Sequence, residues 1–201
     1  GTHVASAPGY GQVNGRCPIS ELLGLGANVA ITTDGNSPST PFDLLRSARQ
    51  TQLIQRMLCH DPFLLPNGKT LEMITIDAAK ALGWDDEIGS LEPGKQADIA
   101  VMNLWQPHLV PNIMPVHRVI CEAVGHDFET VVVAGRVLME ERRVLSVDED
   151  EVLSEGEAEA RRLIERAGLE RHMALPSTFW GHTQGWLDEQ RVDYDSLPCR
   201  P

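Results

Sequence analysis

Hydrophobic positions along the chain follow two grammars, and the change from one to the other falls near Trp84 to Asp86. In the first part, short continuous apolar runs alternate with helix-like stripes. Thr2 to Ser6 predicts the end of a strand, and the Gly/Pro/Asn-rich stretch from Ala7 to Pro18 predicts a loop longer than ordinary connections, a candidate binding loop. A short helix over Ile19 to Leu25 then precedes a strand over Ala27 to Thr33, whose unbroken apolar run fits a strand buried on both faces. Thr40-Pro41-Phe42-Asp43 offers an N-cap, a first-turn proline and an acid at the third helical position. It predicts a helix to about Leu58, with Leu44, Leu45, Ala48, Leu53, Met57 and Leu58 as its apolar stripe. Asp61 to Lys69 predicts a loop, and Thr70 to Leu82 a second helix closed by Gly83.

Past Glu87 the segments shorten and turn residues crowd in. Ile88 to Leu91, Ala97 to Asn103, Val116 to Glu122, Thr130 to Val133 and Arg136 to Met139 predict short antiparallel strands, the last two joined at Ala134-Gly135. Beyond Val147 a Glu/Ala/Arg pattern predicts a helix to about Ala167, ended by Gly168, and then a tail carrying Trp180 and Trp186. The expected organisation is therefore an α/β portion over 1–85, a β-sandwich portion over 86–146, and a helix with tail over 147–201.

The strand over Ala27 to Thr33 ends abruptly in Asp34-Gly35. A carboxylate at the C-terminal tip of a buried strand stands where α/β barrels carry out their chemistry, which makes Asp34 the leading catalytic candidate; turn aspartates before glycine are the competing explanation. Arg16, in the loop before the first helix, can grip a carboxylate or a heterocycle oxygen, or simply lie on the surface. Lys95 in Pro93-Gly94-Lys95 invites a phosphate-loop reading, but the strand, glycine spacing and helix that such a loop needs are not there. His60, His108, His117, His126, His172 and His182 show no mutual spacing that marks a site. Trp84 is expected to pack between domains, and Trp180 with Trp186 to anchor the tail on a partner subunit or on a further segment.

Composition narrows the function. The chain has 201 residues, 42% of them hydrophobic, enough for a core. A formal charge of −12, with no Lys/Arg cluster, argues against nucleic acid as a partner. The late acidic runs predict a solvated helix face. The four cysteines are scattered, with no CxxC pair and no secretory leader, which points to reduced thiols, no metal knuckle and a cytoplasmic location. No apolar run approaches the ~20 residues that would span a bilayer. The chain opens on Gly1-Thr2-His3 without an initiator methionine, and a missing N-terminal segment is one expectation from that start.

Four stretches in order carry a likeness: Asn28-Val-Ala-Ile-Thr-Thr-Asp34-Gly35, Leu71-Glu-Met-Ile-Thr-Ile-Asp-Ala-Ala-Lys-Ala-Leu-Gly83, Glu87-Ile-Gly-Ser-Leu-Glu-Pro-Gly-Lys-Gln-Ala-Asp-Ile99 and Thr130-Val-Val-Val-Ala-Gly-Arg-Val137. Together they resemble the amidohydrolase superfamily, in its branch of metal-dependent deaminases and chlorohydrolases of cytosine, guanine, adenosine-type and s-triazine compounds. The resemblance implies a (β/α)8 barrel whose eighth strand ends in a metal-site aspartate, flanked by a small antiparallel β-sandwich built from both chain ends. Asp34 falls on that aspartate and Thr33 on the threonine before it, while Thr32 departs from the more frequent Gly or Ser. His3 falls on a histidine near the end of strand seven that faces substrate.

A divalent metal lowers the pKa of bound water to ~7, and an adjacent aspartate can take the water's proton and return it to the departing amine. The resemblance thus implies hydrolysis of a non-peptide C–N bond in a small aminated heterocycle or cyclic amidine, with Asp34 as ligand and proton shuttle, zinc as first choice of metal and iron as second. The superfamily's His-x-His pair and its other imidazoles have no counterpart here, and a lone carboxylate cannot hold a transition metal. The chain is expected to be the C-terminal portion of such an enzyme, completed by an N-terminal segment and, in addition, able to form homo-oligomers. The alternatives are a non-catalytic assembly or binding module and one chain of a split enzyme.

Overall fold

Two four-residue strands form the heart of the first portion. The computed structural model describes residues 2–6, 17–34 and 42–170. Within it, β1 (His3–Ser6) runs parallel to β2 (Asn28–Ile31), in register from His3 opposite Asn28 to Ser6 opposite Ile31, with α1 (Ile19–Gly24) between them in sequence. The ladder extends one bond at each end: Asn28 N–H donates to Thr2 O and Thr32 N–H to Ser6 O, both at 2.9 Å. Val29, Ala30 and Ile31 are all buried, which is what a strand covered on both faces requires. Val29 and Ile31 share a core with Ile19, Ala48, Leu65 and Met73.

The helix after Asp34 begins later than the predicted Thr40 cap. It is α2 (Leu44–Cys59), and its cap is Asp43, whose carboxylate accepts from Arg46 N–H at 3.1 Å. Of the predicted stripe only Leu45 and Ala48 are buried; Leu44, Leu53, Met57 and Leu58 are exposed. The inward face is largely polar, with Ser47, Thr51, Gln52 and Gln55, because the amides there serve backbone carbonyls: Gln52 Nε2 donates to Leu65 O at 2.7 Å and Gln55 Nε2 to Cys17 O at 2.9 Å. Leu65 holds a left-handed φ of 48°, and its carbonyl also receives the Arg56 guanidinium and the Thr70 hydroxyl, which fixes that strained turn.

The predicted helix over Thr70 to Leu82 is two helices, α3 (Asn67–Met73) and α4 (Ile76–Leu82), broken at Ile74-Thr75. Asn67-Gly68, expected in a loop, opens α3 instead. Gly83 ends α4 with φ +71°, as expected of a residue without Cβ. The next segment, Ile88 to Leu91, is turn rather than strand; Gly89 there has φ +91° and stands so close to α4 that a Cβ would meet Ala79 Cβ at 2.7 Å. Lys95 clamps this turn, donating to Asp85 O at 2.5 Å and Ser90 Oγ at 2.6 Å. Trp84 is 56% exposed, so the expected packing of its ring is not seen among the described residues.

β3 (Ile99–Met102), β4 (Phe128–Val133), β5 (Arg136–Glu140) and β6 (Arg143–Val144) form one antiparallel sheet in that order. Ala134-Gly135 makes the β4–β5 turn with both φ values positive, which suits the right-handed twist of a two-residue hairpin. Val116 to Glu122, predicted as a strand from its β-branched residues, is instead helix α5 (Pro115–Cys121), opened by Pro115 at its first turn and packed against α2 and α3. Leu45, Leu109 and Ala123 join Met102, Val119 and Phe128 in a second core where helices meet sheet. Asp43 reinforces that junction by accepting from Gly125 N–H at 3.0 Å, 82 residues away in sequence.

The chain divides into compact units at Gly1–Val147 and Asp148–Pro201. In the second, α6 (Glu149–Ala167) is capped by Asp148, which accepts from Asp150 and Glu151 N–H at 3.1 Å each, and ends at Gly168 with φ +64°. Glu149, Asp150 and Glu151 in its first turn complement the helix dipole. Among the described residues no helix is long and apolar enough to cross a membrane.

Candidate active site

The parallel pair gives the site its direction. β2 ends at Ile31, and Thr32, Thr33 and Asp34 leave its C-terminal tip, so Asp34 emerges beyond the carboxyl end of a parallel strand. Its φ of +59° puts it in the left-handed region, which aspartate tolerates better than most residues. Two local bonds hold it there: Asp34 N–H donates to Thr32 Oγ1 and Thr33 Oγ1 donates to Asp34 O, each at 3.3 Å. Asp34 is exposed, while Thr32 and Thr33 are half-buried, so the hydroxyls sit at the strand's rim and the acid faces outward. The N-cap of α2, the next described helix, is Asp43.

His3 stands elsewhere. It pairs with Asn28 at the N-terminal end of the strands, and the rise over Asn28–Ile31 alone separates that level from the tip by about 10 Å. The residue at the rim of β1 is Ser6, 5% exposed, whose carbonyl receives Thr32 N–H. Register alone identifies Ser6; no spacing in the sequence does. Arg16, Trp180, Trp186, His172 and His182 lie outside the described residues.

The opposite end of β2 carries a denser polar cluster. Asp77 on α4 is 3% exposed and takes Lys69 Nζ at 2.6 Å and Lys80 Nζ at 3.2 Å, while its carbonyl accepts Asn28 Nδ2 at 2.8 Å. Burial works against the charge of Lys69, but the bonds and charges of Asp77 and Glu72 outweigh it and hold its pKa above the ordinary lysine value. A second buried acid, Asp127, is paired with His108 Nε2 at 3.0 Å and accepts Val124 N–H at 2.9 Å. Burial raises its pKa, and the His108 and Val124 bonds pull it net below the usual carboxylate range. Both clusters hold elements together. His60 merely ends α2 in a left-handed conformation.

An apolar groove lined by Leu45, Leu71, Ile74, Leu82, Met102 and Phe128 runs between the helices and the sheet, and Asp34 takes no part in it. Among the described residues no three His, Cys, Asp or Glu side chains stand together as a metal set. Asp34 therefore fits a divalent cation only as one ligand, with the others supplied from outside the described residues.

Comparison with known proteins bears on the family and the fold. The profile of the Amidohydrolase family matches residues 12–138. The 5-methylthioadenosine/S-adenosylhomocysteine deaminase of Desulforudis audaxviator is 41% identical over 152 residues, covering 76% of this chain and 35% of that protein. The crystal structure of an adenosine deaminase from Xanthomonas campestris with bound zinc superposes with a TM-score of 0.75 at 28% identity, over 82% of this chain and 37% of that one. The atrazine chlorohydrolase of Arthrobacter aurescens, complexed with zinc, gives 0.68 at 29% identity, over 78% of this chain and 35% of that one. The chain thus spans about a third of the length of the relatives it matches, and it corresponds to part of a barrel hydrolase with an antiparallel sheet.

Proposed function

Because the chain belongs to the Amidohydrolase family, we propose that it forms the C-terminal portion of a barrel hydrolase that removes the exocyclic amine from an aminated heterocycle, with an adenine-type nucleoside as the substrate class. The observation that carries this is an acid at the C-terminal tip of a parallel strand in a chain 41% identical, over three quarters of its length, to a deaminase of adenine nucleosides.

Asp34 is the residue of this chain that touches the reacting atoms. It accepts a proton from the attacking water and delivers it to the amine as ammonia leaves, one carboxylate acting first as base and then as acid. The Thr32 hydroxyl and the strand ladder behind it hold the Asp34 backbone at the rim, so the position of the residue is set before substrate arrives. Zinc is the metal we assign to the whole enzyme, with Asp34 as this chain's one ligand; when bound, it supplies the Lewis acidity that hydrolysis at neutral pH requires.

The deciding experiment uses the full-length gene product with a panel of adenine nucleosides, guanine, cytosine and s-triazines, with and without chelator. Ammonia release that chelation abolishes is the expected result. Undiminished turnover in Asp34→Ala would overturn the assignment.

A further inference from the structure

Three donor atoms meet away from Asp34, where α3, α5 and α2 pack. His117 and Cys121 lie one turn apart on α5 and so project from the same face. Asn67, the first residue of α3, comes against them from the neighbouring helix. Cys121 Sγ is 3.7 Å from His117 Nδ1 and 3.7 Å from Asn67 Oδ1.

Those separations have a chemical meaning. Ligands bound tetrahedrally to zinc at ~2.3 Å through sulfur and ~2.1 Å through nitrogen or oxygen stand about 3.6 Å from one another. The two sulfur edges of this trio already have nearly that length. A thiol, an imidazole nitrogen and an amide oxygen also form a mixed set that suits a thiophilic cation better than magnesium or calcium.

The donors are held from behind. Gln52, fully buried, donates from Nε2 to Asn67 Oδ1 at 2.8 Å and to Leu65 O at 2.7 Å. Because Leu65 O can only accept, it fixes the Gln52 amide, and Gln52 in turn fixes Asn67 with its oxygen on the Cys121 side. Asn67 Nδ2 then lies 2.8 Å from His117 Nδ1, which must be the unprotonated, accepting nitrogen, its one lone pair taken up by the Asn67 N–H until an ion displaces that bond. Asn67 Oδ1 has a second lone pair beyond the one Gln52 uses. Cys121 is buried at 9% exposure and His117 half-buried, so the trio lies on the partly covered side of α5.

We propose that Cys121, His117 and Asn67 form a second cation site, selective for a thiophilic divalent ion of the zinc and cadmium class and separate from the Asp34 centre. Binding forms the metal–sulfur bond and releases the Cys121 thiol proton to solvent; His117 contributes its Nδ1 lone pair in place of the bond from Asn67. Affinity therefore rises with pH. The site uses two helices and one of their supports, so an ion there also staples α3 to α5.

The test uses cadmium chloride on the reduced full chain and follows alkylation of Cys121 by peptide mapping. Cadmium should slow Cys121 alkylation by at least about tenfold, and His117→Gln should remove most of that protection. Asp34→Ala should leave it intact. A sulfur-to-cadmium charge-transfer band should be larger in the parent than in Cys121→Ser, the difference corresponding to one ion. Alkylation indifferent to cadmium in the parent chain would overturn the proposal without reliance on any variant's folding. Protection unchanged in a folded His117→Gln would reduce the site to a thiol alone, and protection lost in Asp34→Ala would merge it with the other centre.

Discussion

The two ends of β2 hold an acid each and treat it in opposite ways. At the N-terminal end Asp77 is buried, bound by two lysines and tied through its carbonyl to Asn28, so its charge is consumed by interactions within the chain. At the C-terminal end Asp34 is exposed and carries a left-handed φ, with its backbone bonded to the hydroxyls of Thr32 and Thr33. One acid secures helix α4 to the strand; the other is presented outward. A barrel divides its labour this way, stability at one rim and chemistry at the other, and the proposed function assigns the two ends of this short strand accordingly.

Substitutions should separate the two roles. In the full-length enzyme Asp34→Ala should lower kcat by about 10³-fold or more, a loss in the range of general acid–base catalysis, while denaturant unfolding shifts by less than about 0.5 kcal/mol. Asp77→Ala should do the reverse. It strands two partly exposed lysines at a buried position and should cost about 2 kcal/mol in urea denaturation, with little change in kcat once folded protein is compared. Asp43→Ala removes the α2 cap and the bond to Gly125 together, and should cost about 1 kcal/mol by the same measurement.

The smallest effects are those of pH. Asp127 has a folded pKa below its unfolded one, so its contribution is complete above the unfolded value of ~3.9 and is lost as pH falls through the lower folded value. Lys69 has a folded pKa above its unfolded one, so its contribution is complete below ~10.4 and is lost as pH rises through the higher folded value. Stability curves should show both losses in the parent. Asp127→Asn should flatten the acid limb, and Lys69→Met the alkaline one. An acid limb unchanged in Asp127→Asn would show that the His108 pair contributes nothing.

Much of the fold is written in local sequence pattern. The strands at β1 and β2, the α2 and α6 helices, the Gly83 and Gly168 ends and the Ala134-Gly135 turn all follow from local pattern and left-handed conformations. Failures came where long-range contacts decide. Pro115 to Cys121 is rich in β-branched residues yet is helical, because Ile120 and Cys121 are buried where α5 packs on α2 and α3. The α2 stripe misled because Gln52 and Gln55 turn inward to serve carbonyls that no periodicity reveals. The place of Asp34 beyond the tip of β2 was legible from an apolar strand ending in an acid. Ser6 was not, since only register sets it at the rim, and neither was the Asn67–His117–Cys121 trio, whose members are brought together across 54 residues by helix packing.

Gly89 gives that packing a mechanical consequence. With Ala79 Cβ only 2.7 Å from where its own Cβ would be, the turn rests directly on α4, and α4 rests on β2. Any side chain at 89 must push the turn and α4 apart, and α4 packs on the strand that leads to Asp34. A hydrogen atom at that bend is thus the spacer that lets the turn seat against the helix backing β2.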